Sequence, residues 1–312
     1  MTRAFVFPGQ GSQAVGMGRE LADAYPTARA TFEEVDEALG QHLSRIIFDG
    51  PESELTLTAN AQPALMAVSM AAVRVLEEKA GASLAEMGRF AAGHSLGEYT
   101  ALAATGALDL GETARLLRTR GDAMQAAVPV GEGAMAAIMG LDMDTVRAVT
   151  EEAAQGEVCA PANDNAPGQI VVSGHAAAVQ RAVALAKERG AKRAVELSVS
   201  APFHCRLMQP AAERMAAALD GVAIRTPALP VVANVSAEPV SDPATIRRNL
   251  IDQVTAPVRW RESMLALRER GVDSLVELGA GKVLSGLARR IDRGLQATAI
   301  GAPADIDAFL GG

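Results

Sequence analysis

Ser95 is the strongest candidate for covalent chemistry, because it stands in a G-x-S-x-G segment that runs from Gly93 to Gly97. Glycines on both sides of a serine let the backbone turn sharply, so the hydroxyl projects and the following amide N–H groups point into the same space. The flanks fit a turn from strand to helix. The apolar run Phe90 to Ala92 precedes it, and apolar residues recur at helical spacing from Leu96 onward. We therefore predict a nucleophilic serine at the end of a buried strand.

A serine nucleophile needs a base, and the chain has three histidines outside this elbow: His42, His175 and His204. His204 falls in a loop between a predicted strand ending at Ser200 and a predicted helix starting near Leu207. Catalytic groups gather on such loops, which the sheet holds in position. His42 follows a helix stop and His175 opens a helix, so both are better explained as surface or capping residues. His204 is the predicted base; without the elbow serine, a hydrogen-bonded core or capping histidine would be the simpler interpretation.

Arg120 is a cation on the apolar side of a predicted helix. Leu117, Arg120 and Met124 are spaced i, i+3, i+7, which puts a guanidinium on the stripe that should face the core. A buried arginine needs an anion. That anion could be internal, Glu98 or Asp122 for example, in a structural salt bridge. It could also be a substrate carboxylate, which the planar fork of arginine grips better than lysine does.

The composition limits the class of protein and its partners. Of 312 residues, 49% are hydrophobic and 21% charged, which is typical of a globular chain with one large core and a smaller appended unit. A net charge of −8 and 3% aromatic residues argue against nucleic-acid binding. Two cysteines, Cys159 and Cys205, are too few for disulfides to stabilise a chain of this size, which is typical of a reducing compartment. No apolar run is long enough for the core of a signal peptide or for a membrane span. We expect a cytoplasmic protein with no membrane partner.

The chain begins with a pattern typical of α/β proteins. A predicted strand, Arg3 to Phe7, runs into the glycine-rich loop Pro8 to Gln13, whose backbone can approach a ligand closely. Apolar spacing and stop signals then predict three helices: Thr27 to Leu39, one that opens at Pro63 and stops at Gly81, and Glu112 to Ala127.

A middle segment has the predicted order β-α-β-β-α-β, which is that of the ferredoxin-like split motif. Within it, Asn163 to Gly168 is interpreted as a hairpin-like turn from its composition. The six parts are Ala134 to Met139, Asp144 to Ala154, Val158 to Ala160, Gln169 to Val172, Ala176 to Arg189 and Ala194 to Val199. We predict a small domain at residues 128–199, inserted in a large α/β domain made of residues 1–127 and 200–312.

The α/β pattern resumes after this segment. The predicted elements are a helix at Leu207 to Leu219, a strand at Val231 to Asn234, a helix at Trp260 to Arg270 and a strand at Ser274 to Leu278. Gly279-Ala280-Gly281 precedes a predicted helix, Val283 to Arg290, like the start of a dinucleotide fingerprint. Leu284 stands where the third glycine should be, so we interpret this segment as a tight turn from strand to helix.

Seven short segments, in order along the chain, carry a resemblance to a known family. They are Phe7-Pro8-Gly9-Gln10-Gly11-Ser12-Gln13, Gln62-Pro63-Ala64, Ala92-Gly93-His94-Ser95-Leu96-Gly97-Glu98-Tyr99, Arg120-Gly121-Asp122-Ala123-Met124-Gln125, Phe203-His204-Cys205, Val231 to Val235 and Gln253 to Trp260. With them the chain resembles the malonyl-CoA:acyl carrier protein transacylases of fatty acid synthesis and the related acyltransferase domains of polyketide synthases. The resemblance implies an α/β fold, with an α/β-hydrolase-like large domain and an inserted ferredoxin-like small domain.

For Ser95 the resemblance implies acylation, and for His204 the role of general base. The backbone N–H groups of Leu96 and Gln10 would form the oxyanion hole, and the backbone carbonyl of Gln253 would orient the histidine ring. The leaving group of a thioester is a thiolate, whose thiol has a pKa of about 8.5, so it needs little help from a proton donor. A Ser-His dyad can therefore suffice without a third, acidic member. The cycle would be ping-pong. Malonyl-CoA acylates the serine, and the pantetheine thiol of acyl carrier protein then takes the malonyl group.

The resemblance also assigns residues of the acyl pocket. Arg120 would grip the free malonyl carboxylate, and Gln62 would lie in the same pocket. Phe203 is similar to the residue that polyketide acyltransferases selecting malonyl over methylmalonyl carry there, and crowding one methyl group is worth about 1–3 kcal/mol. The implied partners are malonyl-CoA, CoA and acyl carrier protein. We expect no metal, no permanently bound cofactor and a monomeric chain.

Two rival functions stay open at this point. A serine esterase or thioesterase would use the same elbow, although a hydrolase of neutral esters gains nothing from a cation such as Arg120 in an apolar pocket. A non-catalytic scaffold would bind acyl carrier protein or CoA without turnover, but it has no use for Ser95 and His204 together. The sequence fixes neither the range of acyl groups nor the patch that docks the carrier protein.

Overall fold

Two β-sheets and the helices around them make up the structure, a computed structural model that describes residues 1–311. The strands are β1 Arg3–Phe7, β2 Phe90–Gly93, β3 Gly133–Met139, β4 Cys159–Ala166, β5 Gln169–His175, β6 Arg193–Glu196, β7 Val231–Val232, β8 Pro239–Val240, β9 Ser274–Leu278 and β10 Gln296–Ile300. The helices are α1 Arg19–Ala24, α2 Pro26–Leu39, α3 Leu43–Asp49, α4 Glu52–Leu55, α5 Thr58–Ala80, α6 Leu84–Met87, α7 Leu96–Ala104, α8 Leu110–Ala126, α9 Met143–Ala154, α10 Ala176–Glu188, α11 Gln209–Asp220, α12 Pro243–Asp252, α13 Trp260–Glu269, α14 Val283–Ile291 and α15 Pro303–Gly311. Within residues 1–311, no helix combines the length and the apolar character needed to cross a membrane.

The larger sheet has six strands in the order β10-β9-β1-β2-β7-β8, and only β8 runs antiparallel to its neighbour. Its strand β1 is buried on both faces, as expected for a parallel strand that helices cover on either side. Phe5 and Phe7 pack into the core that contains α5, whereas Ala4 and Val6 pack into the core with α13 and α14. Phe7 lies opposite Gly93 of β2, so the segments after these two strands leave the sheet side by side.

The smaller sheet has four antiparallel strands in the order β4-β5-β3-β6. Side chains alternate along β3: Ala136 and Ile138 belong to a core with α9 and α10, whereas Met135 belongs to the core of the larger unit. Strand β4 joins the two units. The N–H of Asp164 donates to the carbonyl of Val258 at 2.9 Å, and Asp164 forms a salt bridge with Arg261 at 2.7 Å. The chain is therefore a mixed α/β protein with a parallel-rich sheet and a separate antiparallel sheet.

Helix α5 differs from the prediction that it opens at Pro63. It begins five residues earlier, at Thr58, and the proline lies inside it. A proline there cannot donate to the carbonyl of Ala59, which costs one helical hydrogen bond. Most of α5 from Thr58 to Leu76 is buried, so packing of the helix in the core outweighs that loss.

The polar segment interpreted as a hairpin-like turn is strand as far as Ala166, and the turn is confined to Pro167 and Gly168. Asn163 pairs with β5 and also forms a parallel bridge with Val258 on its other side, so its backbone groups are satisfied by a ladder rather than by a turn. Register shifts interrupt the pairing on either side of this residue. Turn-forming composition was outweighed here by pairing on two sides.

Candidate active site

Ser95 lies at a sharp turn between β2 and α7, with φ of 53° and ψ of −111°. A Cβ atom on Gly93 would lie 1.8 Å from the carbonyl oxygen of Gly97. A Cβ atom on Gly97 would lie 2.3 Å from the carbonyl oxygen of Phe7. Only glycine fits at both positions, and the strained conformation that results presents Ser95 Oγ at the end of the strand.

Replacement of Gly97 by alanine is expected to lower the free energy of unfolding by about 3 kcal/mol, because the added methyl must push the backbones of β1 and α7 apart. Urea denaturation measures the change. Gly286→Ala is the matched control, since this glycine of α14 has open space around its Cβ position and alanine there should cost nothing. Equal stability of the two variants would contradict the close contact at Gly97.

The side chain of Asn234, which follows β7, holds the elbow from outside the motif. Its Oδ1 accepts from the backbone N–H of Ser95 at 2.7 Å, and its Nδ2 donates to the carbonyl of Gly93 at 2.7 Å. These bonds satisfy backbone groups that the sharp turn would leave unpaired. Asn234 could not be assigned a role from the sequence, because its partner Ser95 lies 139 residues earlier and no spacing pattern links them.

Ser95 and His204 are in direct contact. Ser95 Oγ lies 2.9 Å from His204 Nε2, and His204 Nδ1 lies 2.9 Å from the backbone carbonyl oxygen of Gln253. Because a carbonyl oxygen only accepts, Nδ1 carries the proton and Nε2 is free to accept from the serine hydroxyl. Burial lowers the pKa of His204, and the charge of Arg120 lowers it further, to about 3. The imidazole is thus oriented and neutral, as a general base must be.

Arg120 is buried beside this pair. Its guanidinium donates to the side-chain oxygens of Gln62 and Gln253, each at 2.8 Å, and to Ser95 Oγ at 3.1 Å. The central carbon of the guanidinium, Cζ, lies 5.6 Å from the centre of the Tyr99 ring. Burial lowers the pKa of Arg120 by penalising the charged form.

The alternative that Arg120 forms an internal salt bridge with Glu98 or Asp122 is wrong. Across residues 1–311, no carboxylate oxygen lies within 4.0 Å of the guanidinium, and Asp122 is exposed on the same helix. Glu98 is separated from Arg120 by the Gln253 amide, which bonds to both. The guanidinium is therefore held by neutral groups only, next to the serine.

A cavity of about 380 Å³ opens over Ser95, between the two sheets. The smaller sheet contributes Met135 and Val171 to its wall, and Phe203 lines it next to the histidine. Ser95, His204, Arg120, Gln10, Leu96 and Gln62 all line it as well. The structure thus collects these predicted residues around one space, and Gln253 lies directly behind it.

Two amide N–H groups at the cavity have no acceptor. In the described chain, neither the N–H of Leu96 nor that of Gln10 makes a hydrogen bond. Leu96 is the first residue of α7, whose N-terminus favours negative charge. Both groups are thus available to a developing oxyanion.

The other two candidate histidines lie elsewhere. His42 precedes α3 with its side chain 92% exposed, and Nδ1 of His175 accepts from the N–H of Val158 in the smaller unit. Gly279-Ala280-Gly281 is confirmed as part of a short connection from β9 to α14. Among residues 1–311, no cluster of His, Cys, Asp and Glu is placed to hold a metal ion.

The chain is similar to known acyl transferases over nearly its whole length. A family model described as acyl transferase domain matches residues 4–301. A malonyl CoA-acyl carrier protein transacylase of Bacillus subtilis (strain 168) is 48% identical over 305 residues, covering 97% of this chain and 95% of that protein. The crystal structure of an acyl-carrier-protein-S-malonyltransferase from Bartonella henselae has a TM-score of 0.97 at 55% identity and covers 100% of both chains. A malonyl-transacylase in complex with its type II PKS acyl-carrier protein has a TM-score of 0.96 at 44% identity, covering 100% of this chain and 99% of that one.

Proposed function

Because the chain belongs to the acyl transferase family, we propose that it moves a malonyl group from malonyl-CoA to the phosphopantetheine thiol of acyl carrier protein through an ester on Ser95. The observation that carries this proposal is Arg120, a buried guanidinium 3.1 Å from Ser95 Oγ with no carboxylate partner in residues 1–311. An acyl group that brings its own carboxylate supplies the direct anionic contact that the guanidinium lacks. The relatives at 48% and 55% identity are named for malonyl transfer, and the relative at 44% identity is described in complex with a carrier protein.

In the first half-reaction, Ser95 Oγ attacks the thioester carbonyl of malonyl-CoA. His204 Nε2 takes the serine proton as the new O–C bond forms, while negative charge moves to the carbonyl oxygen. The N–H groups of Leu96 and Gln10 stabilise that oxygen by about 3 kcal/mol each. The C–S bond then breaks, and CoA leaves as a thiol with the proton from His204.

In the second half-reaction, the carrier protein's thiol occupies the place that CoA left. His204 Nε2 removes its proton, and the sulfur attacks the ester carbonyl of malonyl-Ser95. Collapse of the second tetrahedral intermediate breaks the ester bond and returns the proton to Ser95 Oγ. No acid is needed behind His204, because the Gln253 carbonyl keeps the ring in the required tautomer and thiolates are good leaving groups.

Arg120 would select acyl groups by charge. Gln62 and Gln253 hold its guanidinium beside the serine through neutral amide oxygens, so no carboxylate of the protein contacts the cation directly. The planar fork suits a carboxylate bound by two parallel hydrogen bonds. Phe203 at the cavity wall would crowd a branched acyl group.

We also propose the finer description of the fold. Residues 1–127 and 200–311 form an α/β-hydrolase-like domain, supported by the serine at a strand-to-helix turn of a parallel sheet. Residues 128–199 form a ferredoxin-like insert, supported by the β-α-β-β-α-β order of its elements. A monomer without a permanent cofactor is sufficient for the reaction, because a single chain contributes the nucleophile, the base and the cation.

Acylation of Ser95 is expected to persist in mildly acidic solution. With a pKa of about 3, His204 is neutral at pH 5, so its protonation should lower kcat/KM for malonyl-CoA by less than about twofold between pH 7 and pH 5. A histidine with a pKa near ~6.5 would be only about 3% neutral at pH 5. The pH profile of kcat/KM measures this, with circular dichroism to verify folding. A loss of tenfold or more in folded protein would show that His204 titrates near its usual pKa.

Intact-mass measurement after incubation with malonyl-CoA tests the proposed function. A malonyl adduct on the wild type that is absent in Ser95→Ala and passes to added acyl carrier protein supports transfer. Release of CoA with no adduct and no product on the carrier protein favours the esterase or thioesterase. Binding of carrier protein or CoA with no acyl exchange in either protein favours the scaffold.

A further inference from the structure

Glu98 and Arg120 are buried groups of opposite charge that do not touch. The Gln253 side-chain amide lies between them: its Nε2 donates to Glu98 Oε2 at 2.6 Å, and its Oε1 accepts from Arg120 at 2.8 Å. Because a carboxylate only accepts and a guanidinium only donates, these contacts fix the direction of the amide. Gln253 therefore links the carboxylate to the position of the guanidinium.

The hydrogen bonds of Glu98 leave one of its oxygens unused. Gln253 Nε2 and the backbone N–H of Asn234 both donate to Oε2, at 2.6 and 3.0 Å. Over residues 1–311, no hydrogen bond reaches Oε1. A proton can therefore be carried on Oε1 without the loss of either bond.

The groups that face Glu98 give it no direct counter-charge. Arg120 of α8 lies behind the amide, Tyr99 of the same helix α7 has a pKa that burial raises to about 12, and His204 is neutral. Gln62 of α5, which accepts from Arg120, is neutral, and the segment after β7 contributes an uncharged backbone N–H, that of Asn234. Within residues 1–311, the protein thus places one cation, Arg120, near Glu98 and no second anion.

We propose that Glu98 takes up a proton from the medium when the malonyl carboxylate docks on Arg120, an inference that rests on the proposed function. Docking brings a second negative charge to a buried site with one guanidinium, and an unbalanced buried charge is costly. Protonation of Glu98 on Oε1 restores one positive and one negative charge. A neutral acyl group adds no charge and causes no uptake, so malonyl binding alone is strengthened as the pH falls toward 6.

The experiment measures protons taken up while malonyl-CoA acylates the wild type in weakly buffered solution with a pH indicator. Acyl transfer itself is proton-neutral near pH 7, because the serine proton leaves on the CoA thiol. Burial raises the pKa of Glu98 to about 7 in the empty site. We therefore expect about half a proton per acylated Ser95 at pH 7.0, and about a tenth at pH 6.0, where Glu98 is already protonated. Intact mass of the same sample counts the acylated serines.

Glu98→Gln is the matched variant, because its amide oxygen can accept both bonds of Oε2 and its amide nitrogen imitates the protonated acid. It should take up less than about a tenth of a proton per acylated serine at either pH. Equal uptake in E98Q and wild type, or equal uptake by the wild type at the two pH values, would overturn the proposal. The wild-type comparison stands even where E98Q fails to fold. A wild type that is never acylated would instead overturn the proposed function.

Discussion

Replacement of His204 by asparagine is expected to lower the rate of Ser95 acylation by malonyl-CoA by about 10³-fold, the usual contribution of a general base. Asparagine is the suitable replacement because His204 has a φ of 58°, a left-handed conformation that asparagine tolerates. The amide accepts a hydrogen bond from the serine but does not take its proton at neutral pH. The rate that survives comes from the oxyanion donors and from substrate binding.

Single-turnover formation of the malonyl-enzyme, followed by intact mass, measures the effect of His204→Asn. The control is His42→Asn, since the side chain of this histidine is 92% exposed and does not line the cavity. It should acylate at the wild-type rate. A His204→Asn rate within tenfold of the wild type would remove His204 from the role of base.

The parts of the fold that could be predicted are those with a strong local pattern. Strand β1 reads as a continuous apolar run, and the prediction of Arg3 to Phe7 is confirmed to the residue. Strand β10 and helix α12 were not predicted. Strand β10, Gln296–Ile300, is an edge strand of small and polar residues, so pairing with β9 defines it rather than any apolar pattern of its own.

Some residues of the site could likewise be predicted from local patterns, whereas others could not. Ser95 and Arg120 could be singled out because a turn motif and a charge on an apolar stripe are visible within a few residues. Contact between Ser95 and His204 spans 109 residues, so only the fold can bring the two together. Asn234 was missed because it is an ordinary polar residue until the fold gives it a partner. Glu98 was considered only as a direct salt-bridge partner of Arg120; the residue it bonds instead, Gln253, lies 155 residues away.

Replacement of Arg120 by alanine is expected to lower kcat/KM for malonyl-CoA by about 10³-fold, and kcat/KM for acetyl-CoA by less than about tenfold. Removal of one partner from a buried charge pair costs about 2–5 kcal/mol, and 10³-fold corresponds to about 4 kcal/mol. The acetyl group has no carboxylate, so its transfer loses only the effect of the hydrogen bond that Arg120 donates to Ser95 Oγ. The preference for malonyl should therefore nearly disappear.

Comparison of the two donors in wild type, Arg120→Ala and Arg115→Ala makes this prediction specific. Arg115 is exposed on the same helix, α8, so its removal changes the net charge equally but leaves the cavity intact. It should keep the wild-type preference. The preference of Arg120→Lys for malonyl-CoA should lie between those of Arg120→Ala and the wild type. A lysine keeps the positive charge but loses the planar fork that binds both carboxylate oxygens. If Arg120→Ala still prefers malonyl-CoA by the wild-type factor, the acyl carboxylate is recognised elsewhere in the cavity, and the buried guanidinium serves only to position Ser95 and Gln253.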